Sequence, residues 1–239
     1  MTHYSDYGYS EPEKSHTHAY LMPVVERLLA NIGTQATIFE LGCGNGSTAA
    51  YLASKGYSIV GVDPSQSGIE IAKANYPQCR LELGSSEEDL PAQFGAFDIV
   101  LSLEVVEHVF SPRSYASVVG ELLKPGGIAI VSTPYHSYIK NLALALTGKM
   151  DQHFTALWEG GHIKFWSPKT LGTLFQSQGF EILSIDRVGR VPCLEKSMVM
   201  VFYKSASAAD LPTRRAASSN SPNRSAIAHG PNELDARSN

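Results

Sequence analysis

The sequence contains few cysteines, no long apolar run and no signal peptide. Its 239 residues include 3 cysteines, which lie far apart at Cys43, Cys79 and Cys193. An odd number of distant thiols excludes a disulfide framework and a four-thiolate zinc site, and it is typical of a reducing compartment. Because the N-terminal residues also lack a basic region followed by an apolar one, the sequence predicts a cytoplasmic protein.

The chain also lacks a strong excess of either charge. Its formal net charge is −4, from 19 Lys and Arg against 23 Asp and Glu. Binding to nucleic acid requires clustered basic residues, so we expect no nucleic-acid partner. No apolar run reaches the roughly 18 residues of a membrane span. The segment IKNLALALTGKM, with lysines near its ends, leaves peripheral contact with a membrane open.

Short β-branched runs alternate with helical segments over most of the chain. Two of the predicted helices follow a capping residue and a proline, at Asp63-Pro64 and Ser111-Pro112, and LLKPGG predicts the end of the second of these. The alternation implies a parallel sheet with helices on both faces. The predicted strands are 37–41, 58–62, 80–83, 97–102 and 127–133, and the predicted helices are 46–55, 64–75 and 112–123.

The alternation ends after the fifth predicted strand. Residues 135–160 predict an insertion of one helix and a loop, and a further helix is expected from Ser167-Pro168 to about residue 178. Two strands, 180–188 and 196–204, then form a predicted antiparallel pair joined by a turn. A closing pair of this kind is not expected in a plain dinucleotide-binding half.

Composition and pattern divide the chain into three parts. We predict an N-terminal helical lid or substrate segment at 1–35 and an α/β domain at 36–204, with a substrate-side insertion at 135–160. Residues 205–239 contain no aromatic residue and no apolar period. Such a segment buries too little surface to offset its ordering entropy, so we predict a disordered tail.

A glycine-rich turn follows the first predicted strand, in the stretch FELGCGNG. Gly42, Gly44 and Gly46 allow backbone amides to approach a ligand, and the following helix N-terminus favours negative charge. Asp63 ends the second strand, where a carboxylate can accept both hydrogens of a ribose diol. Both a nicotinamide dinucleotide and S-adenosylmethionine fit these features.

Two residues near the glycines favour S-adenosylmethionine. The dinucleotide fingerprint requires glycine or alanine at position 47, where this chain has Ser47. Glu40 precedes the glycines, and its carboxylate would repel a pyrophosphate but suits a ligand with an ammonium group. Together with the closing pair of strands, these residues predict S-adenosylmethionine as the cofactor.

The motifs FELGCGNG, GVDPS, GSSEEDL, FDIVLSLEVVEHV and LLKPGGIAIVST resemble, in order and spacing, the class I S-adenosylmethionine-dependent methyltransferases. The resemblance implies a Rossmann-like, doubly wound α/β fold with seven strands in the order 3-2-1-4-5-7-6 and strand 7 antiparallel. In that fold the glycines line the methionine part of the cofactor, the acidic residue after strand 2 holds the ribose, and GSSEEDL borders the adenine. The candidate cofactor-binding residues are Glu40, Gly42, Gly44, Gly46, Asp63, Pro64, Ser86, Glu87 and Leu103.

The stretch LEVVEHV carries a second group of polar residues. Glu104, Glu107 and His108 have the spacing i, i+3, i+4, so on a helical turn they would share one face, with the valines directed toward the core. The stretch lies just after strand four, where ligands bind in open α/β sheets. Two carboxylates and an imidazole could hold a divalent metal, or they could form only hydrogen bonds and ion pairs.

A later stretch, EGGHIKFWSPKTL, adds His162 to this group. The combination resembles the ubiquinone-biosynthesis O-methyltransferases and the small-RNA 3′-terminal 2′-O-methyltransferases. By that resemblance Glu104, Glu107, His108 and His162 would ligate Mg²⁺, Mn²⁺ or Zn²⁺. Without a metal, His108 or His162 would act as general base, so the candidate catalytic residues are Glu107 and these two histidines.

The sequence thus predicts a methyltransferase that acts on a hydroxyl of a small molecule: a phenol or catechol, a sugar or a lipid-linked metabolite. The insertion and an N-terminal aromatic cluster would build the acceptor pocket. Transfer to nitrogen or carbon, a non-catalytic cofactor-binding partner and, more distantly, a nicotinamide-dependent oxidoreductase remain as alternatives. The acceptor and the oligomeric state are left open. The aromatic cluster contains Tyr7, Tyr9, His16, His18 and Tyr20.

Overall fold

The computed structural model describes residues 6–11, 17–190 and 194–205. These ranges contain seven strands and eight helices, which alternate up to β5 and are followed by three helices and two strands. The strands are β1 Thr37–Leu41, β2 Ser58–Asp63, β3 Arg80–Leu83, β4 Phe97–Leu103, β5 Leu123–Pro134, β6 Phe180–Val188 and β7 Ser197–Lys204. The helices are α1 His18–Ala30, α2 Ser47–Ser54, α3 Gln66–Asn75, α4 Leu90–Phe94, α5 Pro112–Glu121, α6 Tyr138–Leu146, α7 Met150–Phe154 and α8 Pro168–Gln176.

All seven strands form one sheet, in the order β3-β2-β1-β4-β5-β7-β6. Strands β1 to β5 pair in parallel, and β7 pairs antiparallel with both β5 and β6. The order and the reversed seventh strand confirm the predicted fold. This topology brings the carboxyl ends of β1, β2 and β4 together at one edge of the sheet, where side chains from distant motifs can meet.

Two hydrophobic clusters lie on opposite faces of the sheet. Alternate residues of each central strand enter different clusters: Phe39 lies in one and Ile38 in the other. On the first face α5 and α8 cover the sheet, and the ring of Phe175 stacks on Phe202 with 4.0 Å between centroids. On the second face α1, α2 and α3 bury apolar side chains such as Leu52. The sheet is therefore covered on both sides, as a parallel sheet requires.

Several predicted boundaries are wrong for identifiable reasons. Helix α3 begins at Gln66, not at residue 64, because Ser65 is its N-cap and accepts a hydrogen bond from the Gly68 amide. Asp63 does not cap this helix and turns toward the glycine loop instead. Strand β5 begins at Leu123, so the KPGG sequence lies within the strand and does not merely separate it from a helix.

The insertion also differs from its prediction as one helix and a loop. It contains two helices, α6 and α7, separated at Gly148, whose φ of +67° is unfavourable for other residues. Parts of the chain that carried further predictions lie outside the described residues: most of the tail, His16, Cys193 and the centre of the turn between β6 and β7. Within the described ranges, no helix is long and apolar enough to cross a membrane.

Candidate functional site

A cavity of about 1180 Å³ opens at the carboxyl ends of the parallel strands. Its walls come from the loops after β1, β2 and β4, from residues 7–11 of the N-terminal segment and from the insertion. Ligand cavities in proteins typically measure about 300–1,000 Å³, so this one has room for two reactants. Its position is the one expected for ligands in an open α/β sheet.

The glycine loop after β1 forms one wall of the cavity. Gly42 has a φ of +88°, and a side chain there would also collide with Val105, which belongs to the loop after β4. Gly42 therefore permits two loops of the site to pack against each other. Gly46 has a different role, because a Cβ at this position would meet Leu81 and Ala72 outside the cavity. Gly42 and Gly44 line the cavity, whereas Gly46 begins α2 and packs against the core.

Asp63 joins the ends of β1 and β2. One of its carboxylate oxygens accepts the Gly44 amide at 2.8 Å, and the other accepts the Ser65 amide at 2.9 Å. Burial raises the pKa of Asp63 to about 6, although both amide bonds act to lower it. A carboxylate offers about four lone-pair sites. Two remain for donors on a ligand, so the turn orients Asp63 without using its full capacity.

Glu40 is a second buried carboxyl at the same wall, with only 2% of its surface exposed. Burial, followed by the charge of Asp63, raises the pKa of Glu40 to about 8. Its Oε2 atom has no hydrogen-bond partner among the described residues. A buried carboxylate without a partner is costly, and a cationic ligand in the cavity would remove that cost.

The loop after β3 and the end of β4 complete this part of the cavity. Pro64, Ser86 and Leu103 line it, as does Ser85, which was not among the candidates. Glu87 is exposed and lies outside the lining. In GSSEEDL the two serines, which follow the strand after one glycine, are buried and the three acidic residues after them are exposed, so proximity to the strand end was the signal that could have selected Ser85 in place of Glu87.

The stretch after β4 is a turn and not the helical turn that its spacing predicted. Glu104 has a φ of +56°, in the left-handed region that non-glycine residues rarely adopt. Its carboxylate accepts hydrogen bonds from Ser132 Oγ at 2.7 Å and from Ser197 Oγ at 3.1 Å. Burial raises the pKa of Glu104 to about 7. These contacts hold an unfavourable backbone conformation, which is typical of functional sites.

Glu107 lies beneath the same turn and is 1% exposed. Neither of its carboxylate oxygens makes a hydrogen bond of standard geometry with a described residue. Burial, followed by the charge of Glu104, raises the pKa of Glu107 well above its usual range. The Thr133 hydroxyl acts to lower this pKa, and the remaining acceptor capacity of the buried carboxyl suits a ligand.

Two histidines stand beside Glu107. His108 Nδ1 donates to the Gly160 carbonyl at 2.7 Å, because a carbonyl oxygen can only accept, and this bond leaves Nε2 with a free lone pair. The rings of His108 and His162 meet edge to face at 4.9 Å. Burial lowers the pKa of His108, and burial and His108 together lower that of His162 to about 4. Both rings are therefore neutral near pH 7.

One carboxylate oxygen and two imidazole nitrogens of this trio lie within 4.8 Å of one another. A carboxylate and two neutral imidazoles are ligands that suit Zn²⁺ and other transition metals better than Mg²⁺. The structure thus brings together Glu107, His108 and His162 of the four predicted metal ligands. Glu104 lies outside this group of mutually close ligand atoms, and its two oxygens accept serine hydroxyls.

Hydrogen bonds to backbone carbonyls connect two distant loops and hold the trio in place. The amides of Ile163 and Lys164 donate to the Glu107 carbonyl at 2.9 and 3.0 Å. Trp166 Nε1 donates to the Val106 carbonyl at 3.1 Å. These bonds hold the loop that carries His162 against the turn after β4. Because the two stretches are distant in the sequence, local spacing could not associate His162 with Glu107 and His108. The resemblance to known families was needed for that.

The insertion forms the outer part of this wall. Leu144 of α6 and His153 of α7 line the cavity, yet no residue of either helix is buried. Large apolar side chains remain accessible along this region: Tyr138, Ile139, Leu142, Leu146, Met150, Leu157 and Trp158. The wall around the trio is therefore much more open and apolar than the glycine-loop wall.

Known proteins match this chain along most of its length. A family model described as a methyltransferase domain matches residues 14–185. Over 161 residues, or 64% of this chain, the sequence is 34% identical to proteins named ubiquinone biosynthesis O-methyltransferase from Cereibacter sphaeroides and Dinoroseobacter shibae. The match spans 63% and 62% of those relatives, so the chain covers less than two thirds of their length.

A solved structure has the same architecture. The chain is similar to an S-adenosylmethionine-dependent methyltransferase from Methanosarcina mazei, with a TM-score of 0.59 and 21% identity; the match covers 77% of this chain and 98% of that chain. At this identity the likeness shows the fold alone. The match of the family model to residues 14–185 goes further: the chain belongs to the methyltransferase domain family.

Proposed function

We propose that the chain is an S-adenosylmethionine-dependent O-methyltransferase that acts on a hydroxyl of a small-molecule acceptor. The observation that carries this proposal is the pairing of two unlike walls in one cavity. One wall has a glycine loop and two buried carboxyls, and the other has an unsatisfied carboxyl beside two neutral imidazoles. The names of the relatives from Cereibacter sphaeroides and Dinoroseobacter shibae support transfer to oxygen.

The glycine-loop wall suits the methyl donor. We assign the ribose diol to the free lone pairs of Asp63, because the Gly44 and Ser65 amides already orient this carboxylate. We assign the ammonium group of the donor to Glu40, whose unpartnered oxygen requires a cation. The adenine then lies toward Ser85 and Ser86, and Leu103 borders it.

The histidine wall suits the acceptor. In the transfer, a lone pair of the acceptor oxygen forms a bond to the methyl carbon while the carbon–sulfur bond breaks, and its electron pair returns to sulfur as a neutral thioether. The hydroxyl proton must leave the oxygen, and a neutral imidazole of His108 or His162 can accept it. Holding both reactants in one cavity aligns the oxygen, carbon and sulfur atoms for in-line displacement.

In place of that proton transfer to a histidine, Glu107, His108 and His162 would hold a divalent metal, whose charge when bound would lower the pKa of the acceptor hydroxyl. The orphaned oxygens of Glu107 and the tautomer set by the Gly160 carbonyl support this assignment. Glu104 is a neighbour of this site, because it does not belong to the group of ligand atoms that lie within 4.8 Å of one another.

The insertion indicates the class of acceptor. Leu144 and Trp158 line the outer cavity, and exposed apolar side chains continue from there along α6. A phenol or catechol with an apolar substituent fits such a wall better than a sugar does. We therefore propose that residues 135–160 and the N-terminal segment form the acceptor side of the enzyme.

The proposal is tested with methyl-labelled S-adenosylmethionine and a panel of phenols and catechols of increasing alkyl chain length. We expect label in the ether product, with kcat/KM rising as the chain lengthens. Matched anilines, which offer nitrogen in place of oxygen, serve as the control for atom preference. Donor binding without label transfer to any hydroxyl, or a preference for the anilines, would contradict transfer to oxygen.

A further inference from the structure

Residues 6–11 of the N-terminal segment are bound across the mouth of the cavity. The Asp6 carboxylate accepts hydrogen bonds from the hydroxyls of Ser65 and Ser67 and from the Ser67 amide at the start of α3. The Tyr9 amide donates to Ser67 Oγ at 3.0 Å. The hydrogen bonds lower the pKa of Asp6 to about 2, so its carboxylate is ionised near pH 7.

The attachment places Tyr9 against the glycine-loop wall, which we call the donor wall because we assign the methyl donor to it. A Cβ on Gly44 would lie only 2.5 Å from Tyr9 Oη, and one on Gly68 would lie 2.9 Å from the Tyr9 ring. The charges of Asp63 and Glu40 both act on the Tyr9 hydroxyl, so the ring lies near both buried carboxyls. Tyr9 therefore covers the glycine loop and leaves the cavity beneath it open.

Tyr7 continues this aromatic surface toward the acceptor wall. Its ring lies 5.0 Å from Tyr9, 5.6 Å from Trp158 and 6.2 Å from His108 between centroids. Tyr7 thus spans the interval between the glycine loop and the histidines. The reacting methyl group must cross this interval, since the donor lies on one side of it and the acceptor on the other.

We propose that Tyr7 and Tyr9 form an aromatic wall that recognises the positive sulfonium of the methyl donor and distinguishes it from the neutral thioether product. This inference rests on the proposed function, and it adds two specificity-determining residues to that site. Aromatic faces attract a cation placed within about 6 Å of the ring centroid, by roughly 0.5–2 kcal/mol. The product S-adenosylhomocysteine carries no charge on sulfur, so it gains none of this attraction. The wall favours exchange of spent product for fresh donor.

The test measures the Kd values of S-adenosylmethionine and S-adenosylhomocysteine by calorimetry for the full chain and for Tyr7→Leu, Tyr7→Phe and Tyr9→Leu. Each leucine variant should raise the Kd of the donor about two- to thirtyfold and leave that of the product unchanged. Tyr7→Phe keeps the ring and should retain the wild-type ratio. Tyr203→Leu, at a half-buried residue of β7 that lies outside the cavity lining, is the matched control.

The outcomes separate this inference from the proposed function. Equal weakening of both ligands in Tyr7→Leu would overturn it, because the segment would then act only as a cover. Tighter binding of both ligands in Tyr9→Leu would also overturn it and identify the segment as an obstruction. Failure of the wild-type chain to bind either ligand would instead remove the proposed function. Circular dichroism of each variant establishes that the comparison is made between folded proteins.

Discussion

The two walls of the cavity differ in how completely the fold satisfies them. On the donor wall both oxygens of Asp63 accept amides from adjacent loops. On the acceptor wall both oxygens of Glu107 lack such partners among the described residues, and the adjoining helix α6 buries no side chain. The fold itself therefore orients Asp63, although Oε2 of Glu40 on the same wall has no hydrogen-bond partner among the described residues. On the proposed acceptor wall no such pair of amides orients Glu107, so a bound ligand would complete that wall.

The largest effect on the donor wall is expected from removal of the Asp63 carboxylate. We expect Asp63→Ala to weaken S-adenosylmethionine binding by about a hundredfold or more, because it removes the ribose contacts and leaves the Gly44 and Ser65 amides unpaired. Calorimetry measures the loss. Asp186→Ala, which breaks an exposed ion pair with Arg27, should leave the Kd unchanged. Unaltered donor binding in Asp63→Ala would refute the assignment of the donor wall.

The corresponding change on the acceptor wall should affect turnover and not donor binding. Glu107→Gln keeps the shape of the side chain but removes a ligand charge, so we expect kcat to fall by about a hundredfold. A chelator should reproduce the loss in the wild-type protein and have little further effect on the variant. Glu121→Gln on α5, where the carboxylate only accepts Ser117 Oγ, is the matched control. Full activity of metal-stripped enzyme would leave proton transfer to a histidine as the whole mechanism.

Donor affinity should depend on pH through the two buried carboxyls. The pKa of Glu40 is about 8 and that of Asp63 about 6, and a cationic donor binds best when both are ionised. Binding therefore releases protons, and the Kd at pH 6.5 should be about tenfold higher than at pH 8. Glu40→Gln should flatten this part of the profile. Equal proton release in the variant would assign the titration to another group.

The same carboxyl predicts a smaller effect on the stability of the free protein. Glu40 ionises at about 8 in the folded state and at an ordinary value of 4.5 otherwise, so the folded chain binds its proton more tightly. Stability accordingly falls as pH rises from about 4.5 to about 8. Glu40→Gln should melt near the wild-type temperature at pH 5 and about 5 °C higher at pH 9. A constant difference across this range would contradict the proton linkage.

The smallest effect is expected on the outer acceptor wall. Leu146 of α6 is 78% exposed, so Leu146→Ala should change the free energy of unfolding by less than about 0.5 kcal/mol. Leu52 of α2 is fully buried, and Leu52→Ala should cost about 2–5 kcal/mol. Denaturant titrations compare the pair. A large cost at Leu146 would mean that the apolar surface of α6 is covered in the folded protein.

The individual strands could be predicted from local sequence, whereas their order came from the resemblance to the class I methyltransferases. Asp63 was selected because it ends a strand beside the glycines. The same residue was wrongly expected to cap α3, since an Asp-Pro pair resembles a cap and only the three-dimensional path shows that Ser65 performs this role. Local spacing could not show which carboxylates have hydrogen-bond partners in the fold and which do not.

Features that depend on contacts between distant residues escaped prediction. The spacing of Glu104 and Glu107 suggested a helix, but hydrogen bonds from Ser132 and Ser197, on other strands, hold Glu104 in a left-handed conformation. The bond between Asp6 and Ser65 joins residues 59 positions apart. No periodicity in the sequence marks such pairs, because each is fixed by the tertiary path of the chain.

The position of β7 between β5 and β6 has a consequence for synthesis on the ribosome. Strand β6 emerges first, yet the strand with which it pairs is made after it, and β5 meanwhile presents an open edge. Such an edge is a template for pairing with other chains. We therefore expect nascent copies to be most prone to aggregate just before Ser197–Lys204 emerges. Once this segment has emerged, it pairs with β5 on one side and with β6 on the other, and the open edge of β5 is covered.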